Sequence, residues 1–136
     1  MPYALADLDG IGAENVDKLR ALGIRTTDKL LDVAKDPKGR QRLADQTGID
    51  VKRILRLANL ADRMRIKGVG QEYAELLREA GVDTIRELKY RNPEKLARAM
   101  AQANVRRKLV RVLPSDRAVV RWIDHAKRLQ LKIRYK

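Results

Sequence analysis

Two stretches of the chain repeat each other at a constant offset of 58 residues, with their glycines at matching phases. "LDGIGAENVDKLRALGIRTTDKL" covers residues 8–30, and "IKGVGQEYAELLREAGVDTIREL" covers residues 66–88. Identical pairs are Gly10/Gly68, Gly12/Gly70, Glu14/Glu72, Leu19/Leu77, Arg20/Arg78, Gly23/Gly81, Thr26/Thr84 and Leu30/Leu88. Ile11/Val69 and Ile24/Val82 are conservative pairs. A repeat of this length is one supersecondary unit used twice. Two glycines just ahead of a helix cost backbone entropy that an ordinary helix start does not require. The Gly-apolar-Gly turn is therefore what a fold has to account for.

The remaining pattern is helical. Tyr73, Leu76, Leu77 and Ala80 recur at helical spacing, which places them in a core, and Gly81 follows as a left-handed stop. Asp83 or Thr84 then caps the next helix. Similar signals give helices over 13–22 and 28–35, one opened by Asp36-Pro37 and closed at Gly48, and one over 51–64. Asn92-Pro93 opens a helix to about Asn104. "VRRKLVRVLP", residues 105–114, reads as a short basic helix halted by Pro114, and Ser115 caps a last helix over about 116–128. "LQLKIRYK" at 129–136 alternates apolar with polar residues, the mark of an extended segment or basic tail. The expected architecture is all-α. Two repeats, 1–64 and 65–136, pack as one compact helical body with a short extended basic C-terminal tail.

Composition supports packed helices. Phenylalanine is absent and Trp122 is the only tryptophan, so the core is aliphatic. Cysteine is absent, which excludes disulfides and thiolate metal sites. No apolar run reaches about 18 residues, and the first ten residues lack a basic leader, so a soluble, cytoplasmic protein without a membrane partner is expected. In a bacterium or archaeon it would be nucleoid-associated. Net charge is +13 and unevenly spread. Residues 1–64 carry 12 Lys/Arg against 10 Asp/Glu, and residues 65–136 carry 19 against 8. Such a basic second half is an electrostatic footprint for a polyanion.

A Gly-apolar-Gly turn between two antiparallel helices buries its apolar residue and exposes the first N–H groups of the second helix. These lie at the positive end of the helix dipole, a phosphate-sized anion site that needs no particular side chain. "DLDGIGAENVDKLRALGIRTTDKL" and "RIKGVGQEYAELLREAGVDTIREL" resemble helix-hairpin-helix motifs. Across almost the full chain, the duplicated layout resembles a family of tandem helix-hairpin-helix proteins catalogued as a domain of unknown function. The resemblance implies sequence-independent DNA binding through hairpin amides, in some cases with a monovalent cation held by hairpin carbonyls. Carried over, the donors are Gly68, Val69, Gly70 and Gln71, and Gly10, Ile11, Gly12 and Ala13. The motif commonly places a Lys or Arg early in the second helix, whereas Glu14 and Glu72 stand there instead and repel phosphate. Asp9 precedes the first turn where Lys67 precedes the second, so the second is the better phosphate candidate.

Further cations complete the expected surface: Arg65, Arg106, Arg107, Lys108 and Arg111, with Lys132, Arg134 and Lys136 in the tail. Lys and Arg neutralise phosphates without reading bases. Enzyme signals are weak. His125 is the only histidine and has no partner for a triad or metal site, and no glycosylase-type catalytic Asp motif follows either hairpin. A Schiff-base role for Lys67 has no second signal. The expectation is a non-enzymatic DNA-binding protein, duplex favoured over single strand and no cofactor required. The alternative is a protein-interaction module whose hairpins dock partner helices.

Overall fold

Five of the helices among the described residues begin where a side chain satisfies one of the first backbone N–H groups. The computed structural model describes residues 3–8 and 10–136, and among these it has eight α-helices and no β-strand. They are α1 (Ala13–Ala21), α2 (Thr27–Ala34), α3 (Pro37–Thr47), α4 (Val51–Arg63), α5 (Gln71–Glu79), α6 (Ile85–Lys89), α7 (Pro93–Arg107) and α8 (Asp116–Arg128). Thr26, Asp36, Asn92 and Ser115 each accept the N–H three residues on, and Thr84 forms a reciprocal capping box with Glu87. Each such cap is worth about 1 kcal/mol. Because α5 is only nine residues and α6 five, neither would be stable alone. Packing of their apolar faces makes the difference.

The chain divides into two compact units. One comprises the described residues up to Asp62 together with Lys132–Lys136, and the other is Arg63–Leu131. In the first, α3 packs on α1 and α2 around Leu19, Leu30, Leu31, Leu43 and Ile54. A single 3-10 turn, Leu5–Asp7, leads toward Gly10, and Leu5 is fully buried. The first glycine turn thus follows a 3-10 turn and not an α-helix. In the second unit, α8 packs against α6 and α7, and α7 against α5. Leu76, Leu77, Ile85, Leu88, Leu96, Met100, Val119 and Ile123 fill the interior.

Two segments differ from the sequence expectation. The basic run 105–114 is no separate helix: α7 continues to Arg107 and ends with Lys108 left-handed at φ 50°. Asn104 explains this, since its side chain donates to Val110 O and accepts from Val110 N, both at 3.0 Å, which closes residues 104–110 into a loop. The tail after α8 has no regular secondary structure, and it is tied down. Arg134 N donates to Lys35 O at 2.7 Å, Arg40 donates to Arg134 O at 2.8 Å, and Tyr135 donates to Asn59 Oδ1 at 2.7 Å. Lys132–Lys136 accordingly belong to the first unit. No helix among the described residues is long and apolar enough to cross a membrane.

Candidate nucleic-acid interface

The second glycine turn is built from its buried residues outward. Ile66 and Val69 are almost wholly buried, each contributing about 1.5–3 kcal/mol to holding the turn against the interior. Val69 N donates to Ile66 O at 3.0 Å, and Ile66 N to Arg63 O at 3.2 Å, so one tight turn runs into the next. Arg63, 1% exposed, anchors the entry. Its Nε donates to Ala74 O at 2.9 Å and its Nη1 to Asp83 O at 2.8 Å, joining the end of α4 to α5 and to the residues ahead of α6.

Gly68 and Gly70 have different conformations. Gly68 takes φ +90°, the left-handed region that glycine favours, and a Cβ there would stand 3.3 Å from Trp122 Nε1. Gly70 takes φ −86° and ψ −169°, extended backbone open to any residue, with nothing within 4 Å of an added Cβ. Of this pair, only Gly68 has a positive φ. In the first turn, both Gly10 and Gly12 have positive φ, at 81° and 89°. The two turns share a sequence pattern and differ at their second glycine.

α8 braces the second turn. His125 Nδ1 accepts the N–H of Lys67 at 3.0 Å, which fixes that nitrogen as the unprotonated one. Burial pushes the His125 pKa below its ordinary value, and the charges of Arg128, Arg65 and Lys67 push it the same way. With Lys67 N bound to His125 and Val69 N bound to Ile66, two of the hairpin amides already have acceptors. The N–H groups of Gly68 and Gly70 have none among the described residues.

Around the turn the cations are arranged in two clefts that share Tyr73. The larger, about 810 Å³, is lined by Lys67, Gly68, Tyr73, Arg121, Trp122 and Arg128, among others. The smaller, about 730 Å³, includes Glu72, Tyr73, Lys108 and Arg111. The side chains of Lys67, Lys108, Arg111, Arg121 and Arg128 form no ion pair among the described residues. Tyr73, assigned to the core by its spacing, is half-buried; its ring lies 5.2 Å from that of Trp122 and its hydroxyl donates to Val112 O.

The other expected cations are placed differently. Arg65 donates to Gln130 O at 2.9 Å, and Arg107 pairs with Glu79 at 3.3 Å. Arg106 is exposed at the end of α7. Arg134 pairs with Asp36 at 3.4 Å in the first unit, where Lys132 and Lys136 also lie. Arg121 and Arg128 were not singled out by the sequence, yet a signal existed: residues 121, 125 and 128 share one face of a helix.

At the first turn, Ile11 is buried, and the carbonyls of Gly10 and Ile11 accept from Arg53 Nη2 at 2.6 and 3.4 Å. Asn15 also donates to Ile11 O, at 2.9 Å, from within α1, which begins at Ala13. A guanidinium therefore stands where a carbonyl-held monovalent cation would have to bind, and that ion does not fit here. Asp9, the residue that distinguishes the two turns in sequence, lies outside the described residues. No cluster of three or more His, Cys, Asp or Glu side chains able to hold a metal exists among the described residues.

A family model described as "Domain of unknown function (DUF4332)" matches residues 9–129. No curated protein and no solved structure matches the chain significantly.

Proposed function

We propose that this chain, which belongs to that family of unknown function, is a non-enzymatic DNA-binding protein that grips the phosphate backbone without reading sequence. The observation that carries the reading is the setting of the second turn. Cations unpaired among the described residues, Lys67, Arg121 and Arg128 on one side and Lys108 and Arg111 on the other, flank a turn whose Gly68 and Gly70 amides have no acceptor there. Amides at the start of α5 and flanking ammonium and guanidinium groups together suit phosphate oxygens. In this reading the two glycine turns are helix-hairpin-helix elements used unequally. The second meets DNA, with duplex favoured over single strand. The first, whose carbonyls are occupied by Arg53, is a structural counterpart. Glu72 in the first turn of α5 limits the affinity of any one phosphate, so several contacts must act together.

Salt dependence tests the reading. Binding that neutralises about four to six phosphates gives a log–log slope near −4 to −5 on duplex DNA, with little discrimination between unrelated duplexes of equal length. Fluorescence anisotropy with a labelled duplex measures both. A flat salt response, or discrimination beyond about tenfold, overturns it. A second reading has its own observation: Val105 and Val112 are 78% and 71% exposed, which suits a module that docks a partner helix. A module of that kind shows no steep salt slope on DNA.

A further inference from the structure

Trp122 is 3% exposed, yet its Nε1–H has no acceptor among the described residues. An indole N–H is a donor only. Because Arg53 Nε is the one buried side-chain nitrogen or oxygen without a partner among the described residues, the Trp122 N–H is open to solvent and free to donate to a bound group. The indole edge that carries it faces Gly68, and both residues line the larger cleft. Beside them the half-buried ring of Tyr73 lines the same cleft, while Lys67, Arg121 and Arg128 bring three cations to it that form no ion pair among the described residues. Asp124 also lines it, an acceptor for an exocyclic amine.

An aromatic wall, an unpaired N–H donor and three cations make a poor surface for an apolar helix. They suit an aromatic ring joined to a phosphate, and about 810 Å³ lies in the range of small-ligand sites. Double-stranded DNA offers its phosphates but not its base faces, so a fully paired duplex leaves the aromatic wall unused. We propose that this cleft is a subsite for one unpaired nucleotide, its base against Tyr73, an acceptor on Trp122 Nε1 and its phosphate toward Lys67, Arg121 and Arg128. The proposal deepens the DNA reading and rests on it for the source of the nucleotide, a strand end or an unpaired base. The same chemistry would accept a free nucleotide.

Because Trp122 is the only tryptophan, intrinsic emission of the full chain reports on this cleft. Three probes separate the sources: a blunt duplex, the same duplex with a one-nucleotide 5′ overhang, and adenosine 5′-monophosphate. The overhang should bind about tenfold more tightly than the blunt duplex, near the lower end of what stacking a base on an aromatic ring supplies, and should quench the emission. Tyr73→Phe should keep that ratio and Tyr73→Leu should bring it near one. Arg121→Glu, at an exposed position on α8, gives a variant whose folding is not at issue and should lower the ratio as well. Equal affinity for both duplexes without an emission change overturns the subsite and leaves the DNA reading standing. A ratio unchanged in both Tyr73→Leu and Arg121→Glu also overturns it. If neither duplex binds while the mononucleotide quenches emission in an Arg121-dependent way, the DNA reading falls and the subsite stands for free nucleotides. If no probe binds, both fall.

Discussion

A methyl group added at Gly68 would meet Trp122 Nε1 at 3.3 Å on a backbone held at φ +90°, whereas one added at Gly70 would meet open space on an extended backbone. The two positions look equivalent in sequence and should respond oppositely. Gly68→Ala should destabilise the protein by roughly 1–3 kcal/mol, the usual cost of forcing a side chain into a sparsely populated backbone region. Gly70→Val should stay within about 0.5 kcal/mol of the parent, as an unobstructed surface substitution does. Thermal denaturation followed by circular dichroism measures both. In DNA titrations Gly70→Val should nonetheless bind more weakly than Lys67→Ala, because its isopropyl group stands where a phosphate must approach the backbone. Lys67→Ala removes one screened charge, on the order of 1 kcal/mol. Folded Gly70→Val with unchanged affinity would reduce the turn to a structural connection. The glycine pattern marked the turn, but not which glycine needed its freedom. That distinction depends on Trp122, more than fifty positions away in the chain, and no local pattern carries it.

At the level of elements, α8 acts on the second turn through one imidazole. His125 accepts the Lys67 N–H only while Nδ1 is unprotonated, and burial together with Arg128, Arg65 and Lys67 keeps its pKa below the ordinary value. The folded state therefore holds its proton less tightly than the unfolded state. Its contribution to stability is fully present above about pH 6.5, the unfolded value, and is lost as pH falls toward the folded pKa. The melting temperature should fall between pH 7 and pH 5. His125→Gln, whose side-chain carbonyl can still accept, should flatten that window, and an unchanged slope in the variant would disprove the link. Much at this scale was legible in the sequence: Asp36, Asn92 and Ser115 cap their helices as expected, and of Asp83 and Thr84 it is Thr84 that caps α6, because capping is decided within four residues. The basic run at 105–114 is not the separate helix its spacing suggests. Its Leu, Val and Arg spacing fits one, but Asn104 offers the backbone of Val110 a competing partner. His125, Arg121 and Arg128 share a helical face legible in the sequence, yet only the packing of α8 gave that face a neighbour.

For the molecule as a whole, the charge is less unevenly divided between the two units than between the two repeats. Arg63–Leu131 holds 17 Lys/Arg against 8 Asp/Glu, a net +9, which leaves +4 for the remainder of the chain's +13. Reversing Arg106, Arg107 and Lys108 to Glu should weaken duplex binding at least about tenfold, since basic groups within a Debye length of ~8 Å act together on a phosphate chain. The lost Arg107–Glu79 pair is half-exposed and costs little, so circular dichroism should show the variant folded. If the first turn takes no part in the proposed binding, Asp9→Lys should leave affinity within about threefold. A silent triple reversal alongside a tighter Asp9→Lys would assign binding to the other turn. The chain leaves the first unit after Asp62 and returns to it at Lys132, so the second unit is an insertion within the first. Pull on Tyr3 and Lys136 and the load falls first on the short ties at each side: Leu5 N to Arg25 O and Thr27 N to Tyr3 O at one, Arg134 N to Lys35 O and Tyr135 to Asn59 at the other. Along the backbone, the ties at Arg134 and Tyr135 stand between Lys136 and Leu131, so they must part before the covalent chain of Arg63–Leu131 is loaded from that end.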